Sequence, residues 1–268
     1  MALVAVPQPF DFALSTERFR VFGVDRASLW HEGGLHRVVG GREVRIEAAQ
    51  GGVDVEPLDA ETEPIVRSLL GLAFELEPFY AWAAADEVLA VVVPPLAGFR
   101  PPVIPDPFEQ LVGAITAQQV SLFSATAIRN RIIEAFGVRA GEAWAFPTRE
   151  RLARASEEEL FALGLTRRKA EYVVGLARSE LDLGALAALP DDEVKARLTA
   201  LRGLGEWTAD WFLARHLARP HAWPWGDLAL RKAVESLYRG LDVRAARDRF
   251  HPFENLSAHY LLLSQRVP

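Results

Sequence analysis

Residues 201–210 read LRGLGEWTAD, in which two glycines one residue apart directly precede an apolar helical run. Glycine tolerates backbone conformations and close contacts that a Cβ atom prevents, so Gly203 and Gly205 predict a hairpin between two short helices. The second helix begins at the hairpin, where backbone N–H groups and the helix dipole favour a bound anion. The stretch therefore predicts either a plain tight turn or a backbone receptor for a phosphate.

An acidic residue stands where the next helix is predicted to begin. Residues 223–232 read WPWGDLALRK, which places Asp227 22 positions after Gly205. Asp is among the best N-cap residues, and a cap worth roughly 1 kcal/mol needs no further function. The helix dipole also favours a negative charge at this place, which suits the carboxylate to stabilise a positive charge or to take a proton from water. Asp227 can serve in both roles.

The composition excludes several kinds of site. The 268-residue chain contains no cysteine, so disulfides, Cys-type zinc sites and Cys-ligated iron–sulfur clusters are excluded. Residues 88–99 form an apolar stretch of about a dozen residues that contains two prolines, well short of the roughly 20 needed to span a bilayer. Since no secretory signal is visible either, we expect a cytoplasmic protein without a membrane partner.

The net charge of −6 argues mildly against a nucleic-acid partner, because phosphate neutralisation usually needs a basic surface. Basic residues nevertheless cluster locally, so a basic face can coexist with an acidic remainder. The clusters are Arg129 with Arg131, Arg167 and Arg168 with Lys169, and Arg231 with Lys232. We therefore expect modest affinity for bulk DNA.

Glycine pairs and alternating side chains predict an antiparallel β-rich domain over residues 1–100. Within it, one long helix is predicted over residues 63–84 and a last strand over residues 87–93. A proline-rich segment then marks a boundary, after which helical patterns separated by Gly or Pro run nearly to the end. The fold class is therefore predicted as α+β, mainly α, with a helical domain over residues 101–268.

The hairpin followed by Asp227 resembles the helix-hairpin-helix DNA glycosylases, the HhH-GPD superfamily of 3-methyladenine DNA glycosylase II and endonuclease III. Three more segments resemble motifs of that family: residues 108–121, FEQLVGAITAQQVS, residues 163–170, LGLTRRKA, and residues 250–258, FHPFENLSA. The resemblance covers nearly the whole chain, is strongest to the alkylbase branch, and is specific in combination. It implies an N-terminal β-rich domain and two helical halves that contain the helix-hairpin-helix motif and enclose a cleft.

The resemblance also implies roles for individual residues. Asp227 would be the catalytic carboxylate, and its replacement by Asn is predicted to keep the cap and leave stability nearly unchanged. The hairpin, with Gly203, Gly205 and Thr208, would contact the DNA backbone. Gln119 would fill the gap left by a flipped nucleotide, although it can equally belong to a solvated helix end.

Trp207 and Trp211 lie four positions apart, on one face of the helix that follows the hairpin. Such a pair usually belongs to a hydrophobic core. Beside a catalytic carboxylate, two indoles can instead form a base pocket, where a cationic alkylated purine gains cation–π attraction. The resemblance places Trp207 where bifunctional relatives carry the lysine that forms a Schiff base. None of the three lysines matches that position, which implies a monofunctional enzyme: Lys169, Lys195 and Lys232.

The late motif departs from the family pattern at one position. The family usually has aromatic-x-Pro-aromatic-Arg-Ser, and here Glu254 stands in place of the arginine. The change replaces a structural or phosphate-side cation by an anion, which weakens the expectation for local DNA contacts or for substrate range. His251 and His259 show no metal-ligand spacing, so they are predicted to be structural or surface residues, and no metal site is predicted.

The resemblance implies a monofunctional DNA glycosylase of base excision repair that acts as a monomer on damaged duplex DNA. This hydrolase would flip an alkylated purine of the 3-methyladenine type into an aromatic cleft and hydrolyse the N-glycosidic bond. No cofactor is implied, whereas a monovalent ion at the hairpin backbone stays open. Two alternatives remain: an 8-oxoguanine-type glycosylase and a non-catalytic protein that binds DNA damage.

Overall fold

The computed structural model describes residues 2–266, and its N-terminal part is built around a five-stranded antiparallel sheet. The strands are β1 Ala2–Ala5, β2 Leu29–His31, β3 Gly34–Val39, β4 Arg42–Ala49 and β5 Gly52–Glu56, in the spatial order β1-β5-β4-β3-β2. The alternation predicted in β4 is confirmed, because Val44 and Ile46 are buried while Arg45 and Glu47 are partly exposed. One face of the sheet therefore packs on a core, as an antiparallel sheet with one solvated face requires.

Two short helices lie between β1 and β2, and three follow β5: α1 Phe12–Thr16, α2 Arg18–Val21, α3 Thr62–Leu69, α4 Leu76–Ala83 and α5 Leu89–Val92. The single helix predicted over residues 63–84 is wrong, because a turn at Gly71, with a left-handed φ of 63°, separates α3 from α4. The strand predicted over residues 87–93 is also wrong. There Asp86 Oδ1 accepts from the N–H groups of Val88 and Leu89, each at 3.0 Å, which caps a helical turn and overrides the β propensity of the valines.

The second part of the chain is mainly helical, as predicted. Its helices are α6 Pro107–Ala117, α7 Leu122–Phe136, α8 Arg149–Ala153, α9 Glu157–Ala162, α10 Arg167–Arg178, α11 Asp191–Thr199, α12 Glu206–Arg215, α13 Leu228–Leu237, α14 Ala246–Arg249 and α15 Glu254–Ser264. A small hairpin, β6 Val138–Ala140 with β7 Ala143–Ala145, interrupts them and was not predicted. Within residues 2–266, no helix is long and apolar enough to cross a membrane.

Two hydrophobic clusters divide the structure. The smaller one joins the sheet to α1 and α3, and the larger one begins at Phe74 and includes α4, α5 and the helices of the second part. The two cores do not separate at a single point of the chain, because Ile104 belongs to the smaller cluster although it follows Phe74, and the domain boundary at residue 100 stays a prediction. Helix α4 belongs to the helical core because Phe79 packs on Tyr260 of α15, with ring centroids 4.9 Å apart, and Tyr80 is hydrogen-bonded to the Tyr260 hydroxyl at 2.8 Å.

Buried ions join the sheet to the helical core. Glu109 of α6 is 1% exposed and forms ion pairs with Arg37 of β3 and Arg129 of α7. Arg129 also bonds Asp25, at 3.2 Å, in the segment before β2. Burial alone would raise the pKa of Glu109, but the two guanidinium groups outweigh burial and lower this pKa to about 2. Removing one member of this network leaves an unpaired charge in the interior.

We predict that Glu109→Gln lowers the free energy of unfolding at pH 7 by about 3 kcal/mol or more, because Arg37 loses its carboxylate partner and Arg129 keeps only Asp25. A carboxyl whose folded-state pKa is depressed stabilises the fold above its unfolded pKa, and this contribution disappears as the pH falls through the folded pKa. The difference between wild type and variant should therefore shrink between pH 4.5 and pH 2. Urea unfolding followed by circular dichroism measures it, and a difference that stays constant over this range would contradict the prediction.

Candidate active site

The predicted hairpin joins α11 to α12, and its two glycines meet different requirements. Gly203 has a left-handed φ of 89°, and a Cβ atom there would overlap the ring of Tyr172. Gly205 has ordinary extended backbone, with φ −96° and ψ −179°, and no atom of residues 2–266 beyond its immediate chain neighbours lies within 4 Å of the place its Cβ would take. The fold therefore requires glycine at position 203, whereas the space beside Gly205 is open to a ligand.

Helix α12 begins at Glu206 without a side-chain cap. The N–H groups of a first helical turn have no partner within their own helix, so this end of α12 can bind an anion through its backbone. The exposed carboxylate of Glu206 lies at the same end and opposes a bound anion. A phosphate at the hairpin would therefore depend on backbone N–H groups rather than on a favourable side-chain charge.

Helix α6 ends beside the hairpin. Gln118 Nε2 donates to Gly203 O at 2.9 Å and to Thr208 Oγ1 at 3.4 Å. Thr208 is only 1% exposed, so its side chain holds the hairpin from inside, and the contact of this hairpin position with the DNA backbone stays a prediction. Gln119 follows with a left-handed φ of 55° and is exposed at the corner between α6 and α7. Such a backbone costs free energy in a residue with a Cβ and is common at functional sites.

Exposed apolar side chains follow Gln119, a feature that the sequence analysis missed. Val120, Leu122 and Phe123 expose 39%, 45% and 62% of their surface. Sequence patterns assign apolar residues to the core side of a helix, so this exposure is visible only in the folded chain. The corner therefore presents Gln119 together with three apolar side chains to solvent beside the hairpin.

Asp227 is the N-cap of α13 and accepts four hydrogen bonds. Its Oδ1 accepts from the N–H groups of Ala229, at 2.9 Å, and Leu230, at 3.1 Å, which confirms the predicted cap. Its Oδ2 accepts from the indole Nε1 of Trp207 and of Trp211, each at 3.1 Å. The half-buried carboxylate is thus held in one orientation by four N–H donors. The structure brings together three residues that the sequence singled out separately.

The two indoles have different surroundings. Trp211 is 2% exposed; the guanidinium of Arg215 lies 3.6 Å from its ring centroid, and His259 contacts it edge to face. Trp207 is half-buried, with its ring beside Gly226. A flipped base can stack on the covered face of Trp211 only by displacing Arg215, so the predicted sandwich between two indoles does not agree with the structure. Trp207 alone keeps a partly accessible surface.

Three arginines gather near Trp211, and the sequence analysis missed them. Burial lowers the pKa of Arg215 well below its ordinary value, the charge of Arg18 lowers it further, and Asp227 opposes both effects. Burial, followed by the charge of Arg266, lowers the pKa of Arg18 to about 10. Within residues 2–266, the Nε of Arg215 has no hydrogen-bond acceptor. The carboxylate of Asp227 therefore favours the charged form of Arg215, which burial and the other arginines oppose.

The basic residues predicted to form a basic face divide into two groups. Arg129 lies in the ion network of Glu109, and Lys169 is buried, with Nζ donating to Thr116 O at 3.0 Å. Neither is available to a ligand at the surface. The exposed members are Arg131, Arg167, Arg168, Arg231 and Lys232. For these, contact with phosphate groups stays a prediction.

The sequence profile of the HhH-GPD superfamily base excision DNA repair proteins matches residues 112–250, slightly more than half of the chain. The matched segment contains the hairpin, both indoles and Asp227. The chain belongs to the HhH-GPD superfamily. The predicted resemblance is therefore confirmed, and so is the fold class of a β-rich N-terminal part followed by helices.

Known proteins resemble this HhH-GPD chain over different lengths. The DNA-3-methyladenine glycosylase of Bacillus subtilis (strain 168) is 33% identical over 182 residues, which cover 65% of this chain and 60% of that protein, less than two thirds of its length. The solved structure of a 3-methyladenine DNA glycosylase from Archaeoglobus fulgidus superposes with a TM-score of 0.88 at 28% identity, covering 99% of this chain and 98% of that one. The 8-oxoguanine glycosylase/lyase of Clostridium acetobutylicum, in complex with DNA, superposes with a TM-score of 0.79 at 21% identity, covering 96% of this chain and 92% of that one. That protein shares the fold.

The four-donor arrangement changes the expectation for Asp227→Asn. An amide has one acceptor oxygen, so either the two backbone N–H groups or the two indole N–H groups must face an NH₂ group. We predict that the variant loses about 1–3 kcal/mol of unfolding free energy, in contrast to the small change expected from the sequence.

Urea unfolding of Asp227→Asn, Trp211→Phe and the double variant measures this coupling. The Asn substitution should cost less free energy when Trp211 is replaced by Phe, because one of the opposing donors is then absent. Equal costs in both backgrounds would show that the indole of Trp211 does not contribute.

Proposed function

We propose that this HhH-GPD protein is a monofunctional DNA glycosylase that removes alkylated purines from duplex DNA in base excision repair. The observation that carries the proposal is the carboxylate of Asp227, fixed by two indole N–H groups of the hairpin helix α12. The printed names of the Bacillus subtilis relative and the Archaeoglobus fulgidus structure support the same reaction and the same class of base.

In the proposed reaction, water replaces the base at C1′ of the damaged nucleotide. The C1′–N bond breaks and its electron pair leaves with the base, while the water oxygen bonds to C1′ and gives up a proton, which passes to the departing base or to solvent. Positive charge develops on the sugar as the bond breaks, so the carboxylate of Asp227 stabilises the transition state more than the bound substrate. The products are a free base and an abasic site. No cofactor is required, because water is the nucleophile.

The hairpin and the corner at Gln119 would hold the duplex. Backbone N–H groups beside Gly205 can bind a phosphate without reading the base sequence. Gln119 and its exposed apolar neighbours can enter the base stack when a nucleotide leaves it, since unstacked bases leave an apolar gap. All of these groups belong to one chain, so we propose that the protein acts as a monomer.

A bifunctional enzyme of the 8-oxoguanine type would need a lysine nucleophile beside the carboxylate. Lys169 and Lys195 are bound to other groups in the fold, and Lys232 is exposed on α13. On the hairpin helix, Trp207 occupies the place that the family resemblance gives to the nucleophile. The position of the lysines therefore favours hydrolysis by water over Schiff-base formation.

The positive charge near Trp211 bears on the class of lesion. A cationic base that approached this indole would meet the guanidinium of Arg215 instead of a free ring face. Stacking is therefore assigned to Trp207, where the ring quadrupole still favours a cation by roughly 0.5–2 kcal/mol. Release of cationic 3-methyladenine and of neutral hypoxanthine can be compared on matched duplexes. The comparison tests whether repulsion by Arg215 or attraction at Trp207 decides which bases are removed.

We predict that Asp227→Asn loses base excision by about two orders of magnitude or more, because the charge acts only as the glycosidic bond breaks. The variant should bind lesion-containing duplex at least as tightly as the wild type, because an anion that repels the phosphates is removed. Single-turnover release of free base is measured on duplexes with one 3-methyladenine, hypoxanthine or 8-oxoguanine. Binding is measured on the same duplexes.

Trp211→Phe is the matched control for this experiment. It also removes hydrogen bonding around Asp227 but keeps the charge, so its excision should stay within about tenfold of wild type. Near-parental excision by Asp227→Asn would contradict the catalytic assignment. Binding of lesions by the wild type without release of any base would instead identify a non-catalytic damage-binding protein, and strand nicking at 8-oxoguanine would identify a bifunctional enzyme.

The two hairpin glycines are predicted to respond differently to alanine. Gly203→Ala should lose about 2 kcal/mol or more of unfolding free energy, because of its left-handed φ and the ring of Tyr172. Gly205→Ala should change stability by less than about 1 kcal/mol, yet weaken DNA binding by a similar factor on unrelated sequences. Thermal unfolding and fluorescence anisotropy measure the two effects. Unchanged affinity in Gly205→Ala would leave the hairpin as a structural turn only.

A further inference from the structure

Three potential metal ligands converge at the start of α15. The candidate ligand atoms of His221, His251 and Glu254 all lie within 4.8 Å of one another. His221 Nδ1 is 3.0 Å from Glu254 Oε2, and His251 Nδ1 is 3.2 Å from Glu254 Oε1. The two imidazole rings are stacked, with centroids 5.0 Å apart. Side chains from the loop after α12, from the connection between α14 and α15, and from the first turn of α15 therefore share one small volume.

Burial of the carboxylate distinguishes this cluster from an ordinary surface group. The side chain of Glu254 is 3% exposed, whereas those of His221 and His251 are 44% and 65% exposed. Within residues 2–266, the side-chain hydrogen bonds to this carboxylate come from the two imidazoles. A buried carboxylate needs a compensating charge, and neutral imidazoles offer one N–H group each. A divalent cation between the three side chains would compensate the charge directly.

The donor set indicates which cation fits. Two imidazole nitrogens and one carboxylate oxygen suit zinc and similar transition-metal ions, whereas calcium and magnesium prefer oxygen ligands alone. Zinc binds these atoms at about 2.0–2.2 Å in a tetrahedron, which places neighbouring ligand atoms about 3.3 Å apart. The two imidazole–carboxylate separations, 3.0 and 3.2 Å, are already close to that value. The exposed imidazoles have room to turn and close the remaining distance.

We propose that His221, His251 and Glu254 form a zinc-binding site whose fourth position is open to water. The expectation that the chain has no metal site rested on spacing along the sequence, and His221 comes from a separate loop. The site also gives a reason for Glu254, because the arginine of the family pattern would repel the metal instead of binding it.

The zinc site would link the hairpin helix to the last helix of the fold. His221 lies shortly after the end of α12, and this loop already accepts hydrogen bonds from Asn255, whose N–H donates to Pro220 O and whose Nδ2 donates to Arg219 O, both at 2.9 Å. A metal bound beside these contacts would hold the loop against α15 and stabilise the folded state. Its role is to stabilise the fold and not to act in the proposed reaction, since within residues 2–266 no hydrogen bond or ion pair joins its ligands to Asp227.

Calorimetric titration of the full, tag-free chain with Zn²⁺ tests the proposal. We expect one Zn²⁺ per chain, and His221→Ala, His251→Ala and Glu254→Gln should each weaken binding by about tenfold or more. The melting temperature of the wild type should rise by about 2–5 °C for each tenfold increase of free Zn²⁺ above the dissociation constant, and that of the variants should not. Substitution with Co²⁺ should give the visible absorption of a tetrahedral ion in the wild type but not in the three site variants.

His31→Ala is the matched control. His31 is also a partly exposed histidine beside a glutamate, with Nε2 3.8 Å from Glu32 Oε1, but it lies outside the cluster. This variant should bind Zn²⁺ as the wild type does. Circular dichroism verifies that the His221→Ala and His251→Ala variants are folded, which their exposed side chains favour. The proposal is overturned if the wild type binds no Zn²⁺, or if the His221→Ala, His251→Ala double variant binds it as tightly as the wild type.

Discussion

Four N–H groups converge on the carboxylate of Asp227, and the geometry of the whole candidate site depends on this convergence. Two of the donors belong to the backbone of α13 and two are indoles of the hairpin helix, so a single side chain determines how these helices meet. The same negative charge is the group that the proposed reaction uses. Stability and chemistry therefore depend on one ion, and the indoles of Trp207 and Trp211 contribute to both by keeping it in place.

The local sequence was sufficient to predict a structural feature wherever that feature depends on neighbouring residues. The turn at Gly203, the cap at Asp227 and the alternation in β4 each depend on contacts within a few positions of the chain, and all three are present as predicted. The same reasoning failed at residues 63–84 and 87–93. In the first segment an apolar helical pattern continues across Gly71, but a glycine turn ends the helix there. In the second segment the valines favour a strand, but the cap at Asp86 starts a helical turn instead.

Contacts between distant residues explain what the sequence could not predict. Arg215 lies one helical turn after Trp211 on α12 and covers the indole through a local contact, but the charge of Arg18 approaches Arg215 from the first helices of the chain. The cluster at Glu254 likewise needs a histidine from another loop. No spacing rule contains this information, since the distance along the chain between such partners is set by the path of the whole fold. The site's electrostatics were therefore less predictable than its backbone.

Helix α6 connects the N-terminal sheet to the hairpin. Near its first turn, Glu109 is fixed to the sheet by the buried pair with Arg37, and just beyond its last residue Gln118 holds the carbonyl of Gly203. Glu109 and Gln118 are nine positions apart, so the helix between these two attachments is a rigid rod of about 14 Å. Displacing the hairpin would therefore strain either α6 or the ion pair between Glu109 and Arg37. The N-terminal sheet therefore helps to keep the hairpin in position when the hairpin binds a ligand.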